Sequence, residues 1–192
     1  MKESNILKIL KSKSSVLTFK EIFLATGEKS PDLLKRRLNY YSKNKSLYRI
    51  RRGIYAKDKS YDRLELATKI FTPSYISFET VLYKTGVIFQ YYQTIFVATY
   101  QTREITCDNQ TYSFRKIKDT ILTNKAGIDN MGNYFSASKE RAFLDVLYLN
   151  KDYHFDNLSS LDIKKIKTLL PIYNNKRMNK LVEIYLAKNR SP

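Results

Sequence analysis

Between Lys29 and Lys59 the chain carries eleven lysines and arginines against two aspartates, and its periodicity changes from helical to β-like. Ser30-Pro31-Asp32 has the chemistry of a helix start. The hydroxyl can cap free N–H groups, the proline suits a first turn, and the acid sits at the positive end of the dipole. Leu34, Leu38 and Tyr41 then recur at helical spacing and form one apolar stripe, while Lys35, Arg36, Asn39 and Lys43 occupy the opposite face. Beyond Asn44 the pattern becomes two short β-like runs, 47–50 and 54–56, hinged on Arg51-Arg52-Gly53, where the glycine gives the backbone freedom that a tight hairpin needs. A basic helix followed at once by a basic hairpin is the pattern of a winged helix-turn-helix.

The residues before it complete such a unit. Residues 3–11 place Ile6, Leu7 and Leu10 on one helical face. Thr18 is positioned to cap a short helix over FKEIFLAT that turns Phe19, Ile22 and Phe23 inward, and Gly27 falls where the turn before Ser30 is required. This order predicts a map of contacts with double-stranded DNA. Lys35, Arg36, Asn39 and Lys43 face the major groove or its phosphates, and Ser30 with the helix N-terminus lies near a phosphate. Tyr40, interleaved with the cations, donates to phosphates; Arg49, Arg51 and Arg52 follow the neighbouring backbone or enter the minor groove. Tyr41 and Tyr55 are read as core beneath the wing.

The balance of charge agrees with a polyanionic partner. The formal net charge is +17, and residues 1–60 hold 16 basic and 5 acidic side chains, so +11 of it lies there; the remaining 132 residues supply +6. A membrane surface is the rival partner, but no other segment pairs an apolar face with an all-basic one. No apolar run approaches the roughly 20 residues of a membrane span, and the N-terminal residues lack the features of a signal peptide. The lone Cys107 excludes an intrachain disulfide framework. The expectation is a cytoplasmic protein.

The short polar break at 57–60 is the expected boundary between residues 1–60 and a second domain over 61–192. In the second part, 62–71 and FETVLYKT read as helices, and Ser74–Ser77 as a strand. Residues 94–100, 103–108 and 111–117 are strands rich in β-branched and aromatic residues, the last two joined by a turn at Asp108-Asn109-Gln110. Residues 118–133 read as a loop with one short strand, and 134–136 as a further strand. Ser138 caps a helix in which Arg141 and Asp145, one turn apart, can pair. A helix from Asp162 to about Leu170 and a last amphipathic helix over 174–188 complete the chain. The fold class expected is α+β: a winged helix-turn-helix, then a mixed α+β domain with a small antiparallel sheet and helices on one side.

Catalytic groups do not converge in the sequence. His154, the only histidine, is flanked by Asp152 and Asp156, but a strong metal site shows two or more His or Cys ligands, so a surface loop is the better reading. Cys107 has no base nearby and reads as a small buried hydrophobe beside Ile105. No phosphate-binding glycine loop is present. The expectation is a non-enzyme without metal or cofactor. Tyr91 and Tyr92, in IFQYYQ, read as part of a protein-binding loop.

The hairpin YRIRRGIYA, then PSYISFETVLYKTGV, IFVAT and SASKERAFLDVLYL, occur in an order and spacing that resemble the AbiEi antitoxins of type IV toxin–antitoxin systems, from about Leu47 to Leu186. The resemblance implies an N-terminal winged helix that represses its own operon at inverted repeats. It also implies a C-terminal domain that counters a nucleotidyltransferase-like AbiEii toxin without a stable complex, in abortive infection against phage. Two alternatives stand beside it: a winged-helix regulator whose C-terminal domain binds a small effector, and a nucleic-acid-processing enzyme. No heptad seam is present, and +17 opposes association between free copies, so the expectation is a monomer that becomes cooperative on DNA. Lys116, Lys118, Lys164, Lys165 and Lys167 would then meet a bent duplex.

Overall fold

Side-chain caps decide where several of the helices start. In the computed structural model, which describes residues 5–188, Thr18 and Glu21 form a reciprocal capping box at the head of α2 (Phe19–Thr26). Asp62 caps α4 (Arg63–Ile70) through the N–H groups of Leu64 and Glu65, and Ser138 caps α7 (Lys139–Leu149) through Arg141 N–H. Asp162 does the same for α8 (Ile163–Leu169). Gly27 ends α2 in the left-handed region, with φ of 63°, and turns the chain into α3 (Pro31–Lys43).

The N-terminal unit is built from α1 (Asn5–Leu10), α2, α3 and a three-stranded antiparallel sheet. Its strands run in the order β1 (Val16–Thr18), β3 (Ile54–Ala56), β2 (Tyr48–Arg51). Leu34 and Leu38 of α3 are fully buried against Ile9, Leu17, Ile22, Leu47 and Tyr55, with Phe19, Phe23 and Tyr41 packed around them. Each such leucine contributes about 1.5–3 kcal/mol by leaving water. On α1 the buried residue is Ile9, whereas Leu7 and Leu10 are 47% and 42% exposed. The face expected from Ile6, Leu7 and Leu10 is therefore rotated; its start at residue 3 lies outside the described residues.

The second unit is organised on a six-stranded mixed sheet, in the order β6 (Arg103–Cys107), β7 (Gln110–Lys116), β5 (Ile95–Thr99), β4 (Ser74–Ile76), β9 (Phe135–Ala137), β8 (Ile128–Asn130). This corrects the expected small antiparallel sheet, because β5 pairs with β7 and β4 with β9 in parallel. The physical reason is side-chain chemistry. β6 exposes Arg103, Glu104 and Thr106 and tolerates only an edge, whereas β7 buries Gln110, Tyr112 and Phe114 and belongs inside. β7 is thus placed beside β5, in the same direction. The 118–133 segment also holds a short helix, α6 (Asp119–Leu122), that buries Ile121 and Leu122.

Around the sheet lie α4, α5 (Phe78–Lys84), α7, α8, a 3-10 turn (Leu170–Tyr173) and α9 (Lys176–Lys188). On α4 the fully buried residues are Glu65, Leu66 and Ala67, whereas Leu64 and the C-cap residue Phe71 are half-buried. At the centre of α7, Arg141 and Asp145 are wholly buried and paired at 3.4 Å. Val16, Ile54 and Ala56 of the N-terminal sheet belong to the same core as the second unit, so the seam at residue 60 is crossed by shared packing. Among the described residues, no helix is long and apolar enough to cross a membrane.

Candidate nucleic-acid interface

α3 lies with Leu34 and Leu38 inward, which by helical geometry turns Lys35, Arg36, Asn39, Tyr40 and Lys43 outward; all five are exposed. The β2–β3 hairpin stands beside it. Gly53, with φ of 78°, closes the turn, and a register shift between Arg49 and Arg51 marks a bulge in β2. Together they form a groove lined by Lys35 and Asn39 of α3, Arg49 and Arg52 of the hairpin, Gly53, and Phe19 and Tyr55 at its base. Four of the nine residues expected to meet DNA therefore converge on one concave surface.

The remaining five divide. Arg36, Tyr40 and Lys43 flank the groove on the exposed face of α3, with the Tyr40 ring edge-on to Tyr41 at 5.9 Å. Ser30 occupies the N-cap position of α3, but its hydroxyl makes no capping bond, contrary to the expected cap. Asp32 in the next turn places a negative charge at that helix end, which disfavours a phosphate there. Arg51 is half-buried and does not line the groove. Its guanidinium is close enough to β6 for its charge to oppose the rise that burial imposes on the Cys107 thiol.

Three acids of the N-terminal unit are held by lysines or arginines, one of them by Lys35 of the groove. Asp32 pairs with Lys35 at 2.9 Å, Glu28 with Arg37 at 2.8 Å, and Glu21 with Lys69 at 2.8 Å. Among the described residues, no salt bridge engages Arg36, Lys43, Arg49 or Arg52. The Asp32–Lys35 pair is open to solvent on both sides and is therefore weak. A second groove carries Lys45, Arg49, Lys57 and Lys59, so the cationic surface continues along the hairpin through Arg49. Sequence reasoning missed these flanking lysines. Their density in the 29–59 stretch was the available signal.

Elsewhere, a cleft of about 340 Å³ lies between α5, the β8–β9 hairpin and the head of α7. Its floor includes Leu64, Ile76, Val81 and Tyr134, and Lys84, Lys139 and Lys165 stand among its lining residues. His154 lies on a loop with its side chain 87% exposed, 3.4 Å from Asp156. Among the described residues no group of three or more His, Cys, Asp or Glu is placed to hold a metal. Tyr91 and Tyr92 are exposed, the former edge-on to Tyr83 at 5.3 Å. No protein-family model matches the chain, and no curated protein matches it.

Proposed function

We propose that this chain is a double-stranded-DNA-binding repressor. In this reading α3 is the recognition helix and β2–β3 the wing of a winged helix-turn-helix. The observation that carries it is the groove where Lys35, Asn39, Arg49 and Arg52 meet, set in a unit that holds +11 of the net charge. A duplex seated there has its phosphates beside Arg49 and Arg52, which no salt bridge among the described residues engages, and the exposed Asn39 of α3 can reach base edges in the major groove. The element order α1-β1-α2-α3-β2-β3, with β1 closing the sheet against β3, supports the same reading.

The biological role follows from the resemblance of the chain to AbiEi antitoxins: autorepression at inverted repeats in its own promoter, and neutralisation of a nucleotidyltransferase-like toxin through the second unit, in the cytoplasm. The test has two arms. Titration of labelled DNA from the chain's own upstream region, at several salt concentrations, should give binding that weakens steeply with salt. Co-expression with a nucleotidyltransferase-like toxin encoded beside it, as the resemblance implies, should restore growth. Failure of the first arm removes the DNA reading, and failure of the second removes the antitoxin role alone.

A second reading is favoured by the cleft at the head of α7. Its size falls within the range of small-molecule sites, and its apolar floor, with lysines as well as Asp129 and Glu140 in the lining, suits a ligand with an apolar body and polar groups. A regulator with an effector would show DNA affinity that changes with such a ligand.

A further inference from the structure

Asp108 lies in the second unit, at the tip of the β6–β7 hairpin, yet its carboxylate takes one of its two tyrosine hydrogen bonds from the N-terminal hairpin. Tyr48 Oη of β2 donates to Oδ1 at 2.7 Å, and Tyr61 Oη donates to Oδ2 at 2.8 Å. The two tyrosine rings stack at 6.3 Å and 23°, and Lys59 Nζ lies 5.7 Å from the centre of the Tyr48 ring. Arg63 Nη1 donates to the Asp108 carbonyl at 3.3 Å and to Gln110 Oε1 at 3.4 Å, fixing the hairpin tip from the other side. Asp108 and Asn109 both have positive φ, 48° and 60°, as a two-residue hairpin turn requires. The carboxylate is thus presented on a short, stiff support.

Side chains alternate along a strand, so fixing Tyr48 on one face of β2 fixes Arg49 on the other. Arg49 lines both grooves of the hairpin. The bulge just beyond it leaves β2 with little ladder of its own: three Cα partners join it to β3, and β2 is the sheet's edge. An edge strand this short is not held in place by its backbone alone.

We propose that Asp108 is a positioning residue for DNA binding: through Tyr48 and Tyr61 it holds the wing in place, so that DNA affinity depends on a hairpin of the second unit. This rests on the DNA-binding reading above. The coupling is reciprocal, so DNA on the wing also stabilises the hairpin tip, and a partner that engages that tip shifts DNA affinity.

The sign of the effect separates positioning from simple charge. Asp108→Ala removes a negative charge beside a basic surface, so long-range electrostatics alone make the variant bind DNA more tightly. Loss of the positioning contact makes it bind more weakly. The experiment titrates a labelled duplex from the chain's own upstream region with the full-length wild type, Asp108→Ala, Tyr48→Phe, the double variant and Arg52→Ala, with near-UV circular dichroism to verify folding. Asp108→Ala is expected to bind about tenfold more weakly, and Tyr48→Phe about threefold, both with an unchanged salt slope because neither loses a phosphate contact. The double variant should bind no more weakly than Asp108→Ala. Should Asp108→Ala fail to fold, Tyr48→Phe carries the test, since it keeps the charge and the ring. Affinity that is unchanged or raised in a folded variant, while Arg52→Ala weakens binding, overturns the proposal and leaves the DNA reading intact. A wild type that binds no duplex overturns both.

Discussion

Glu65 and Ser15 are joined by two hydrogen bonds across the seam between the two sheets. Ser15 donates its N–H to Glu65 Oε2 at 2.9 Å and its hydroxyl at 2.6 Å, and Val16 N–H adds a third at 3.3 Å. Glu65 is wholly buried and lies 3.4 Å from Lys69, whose ammonium also reaches the Val16 carbonyl and Glu21. The start of β1 is therefore held by α4, an element that lies beyond the expected boundary.

A fragment that ends at Lys59 lacks both Glu65 and the packing over Val16, Ile54 and Ala56. It should not fold stably, whereas one that ends after Phe71 keeps α4 and should retain more helix. In the full chain, Glu65→Ala leaves the donors at Ser15 and Val16 unmet and Lys69 without one of its acids. The expected loss is about 3 kcal/mol in urea denaturation. A fragment 1–59 with a cooperative thermal transition contradicts this account.

Glu21 makes the same seam sensitive to acid. Partial burial pushes its carboxyl up, but the hydrogen bond from Lys69 and those from Thr18 outweigh it, so the group sits below the usual glutamate range. A carboxylate lowered by folding stabilises the protein fully above its unfolded value, and that contribution disappears as pH falls through the folded one. The stability gap between wild type and Glu21→Gln should thus be widest at neutral pH and close as the pH falls below the ordinary glutamate range. A gap of constant size would show that Lys69 does not hold Glu21.

Much of this was legible locally. Thr18 with Glu21, Ser138 and Asp162 announce helix starts through chemistry within four residues, and Arg141 with Asp145 announces a pair one turn apart. What was not legible depends on distant partners. β1 is three residues long, too short to show an alternation, and exists because Ile54–Ala56 lie ready to pair with it. The order of β6 and β7 follows from which of them has an apolar face to bury. Asp108 reads locally as turn chemistry, and its bond to Tyr48 spans 60 positions. The same holds for Arg51. Its sequence neighbours Arg49 and Arg52 line the groove, and only the bulge in β2 separates its course from theirs.

That separation gives a contrast between adjacent arginines. Arg52→Ala should weaken binding to every duplex and reduce the salt slope by about one, the signature of one lost phosphate contact. Arg51→Ala should leave the slope nearly unchanged, because one guanidinium nitrogen is buried without a hydrogen-bond partner and the side chain does not line the groove. Equal slopes lost by the two variants would place Arg51 on DNA as well.

The Arg141–Asp145 pair offers the last test, and it concerns the rigidity of the second unit. Arg141 donates to the carbonyls of Ile121 at 2.7 Å and Ala126 at 2.9 Å. Asp145 accepts hydroxyls from Tyr173 at 2.6 Å, Ser77 at 2.7 Å and Tyr75 at 3.0 Å. These partners come from α6 and the loop after it, from β4 and the head of α5, and from the 3-10 turn, so one ion pair ties four other elements to α7. Removing one member leaves the other buried and uncompensated. Arg141→Met should therefore cost about 3–5 kcal/mol. Asp145→Leu should cost a similar amount, since it also strands three hydroxyls. Because each single change already spoils the other residue's setting, Arg141→Met combined with Asp145→Leu should cost far less than the sum, with a coupling of at least about 2 kcal/mol in urea denaturation. Losses that simply add would mean that the carbonyls and hydroxyls, rather than the pairing of the two charges, hold these elements on α7.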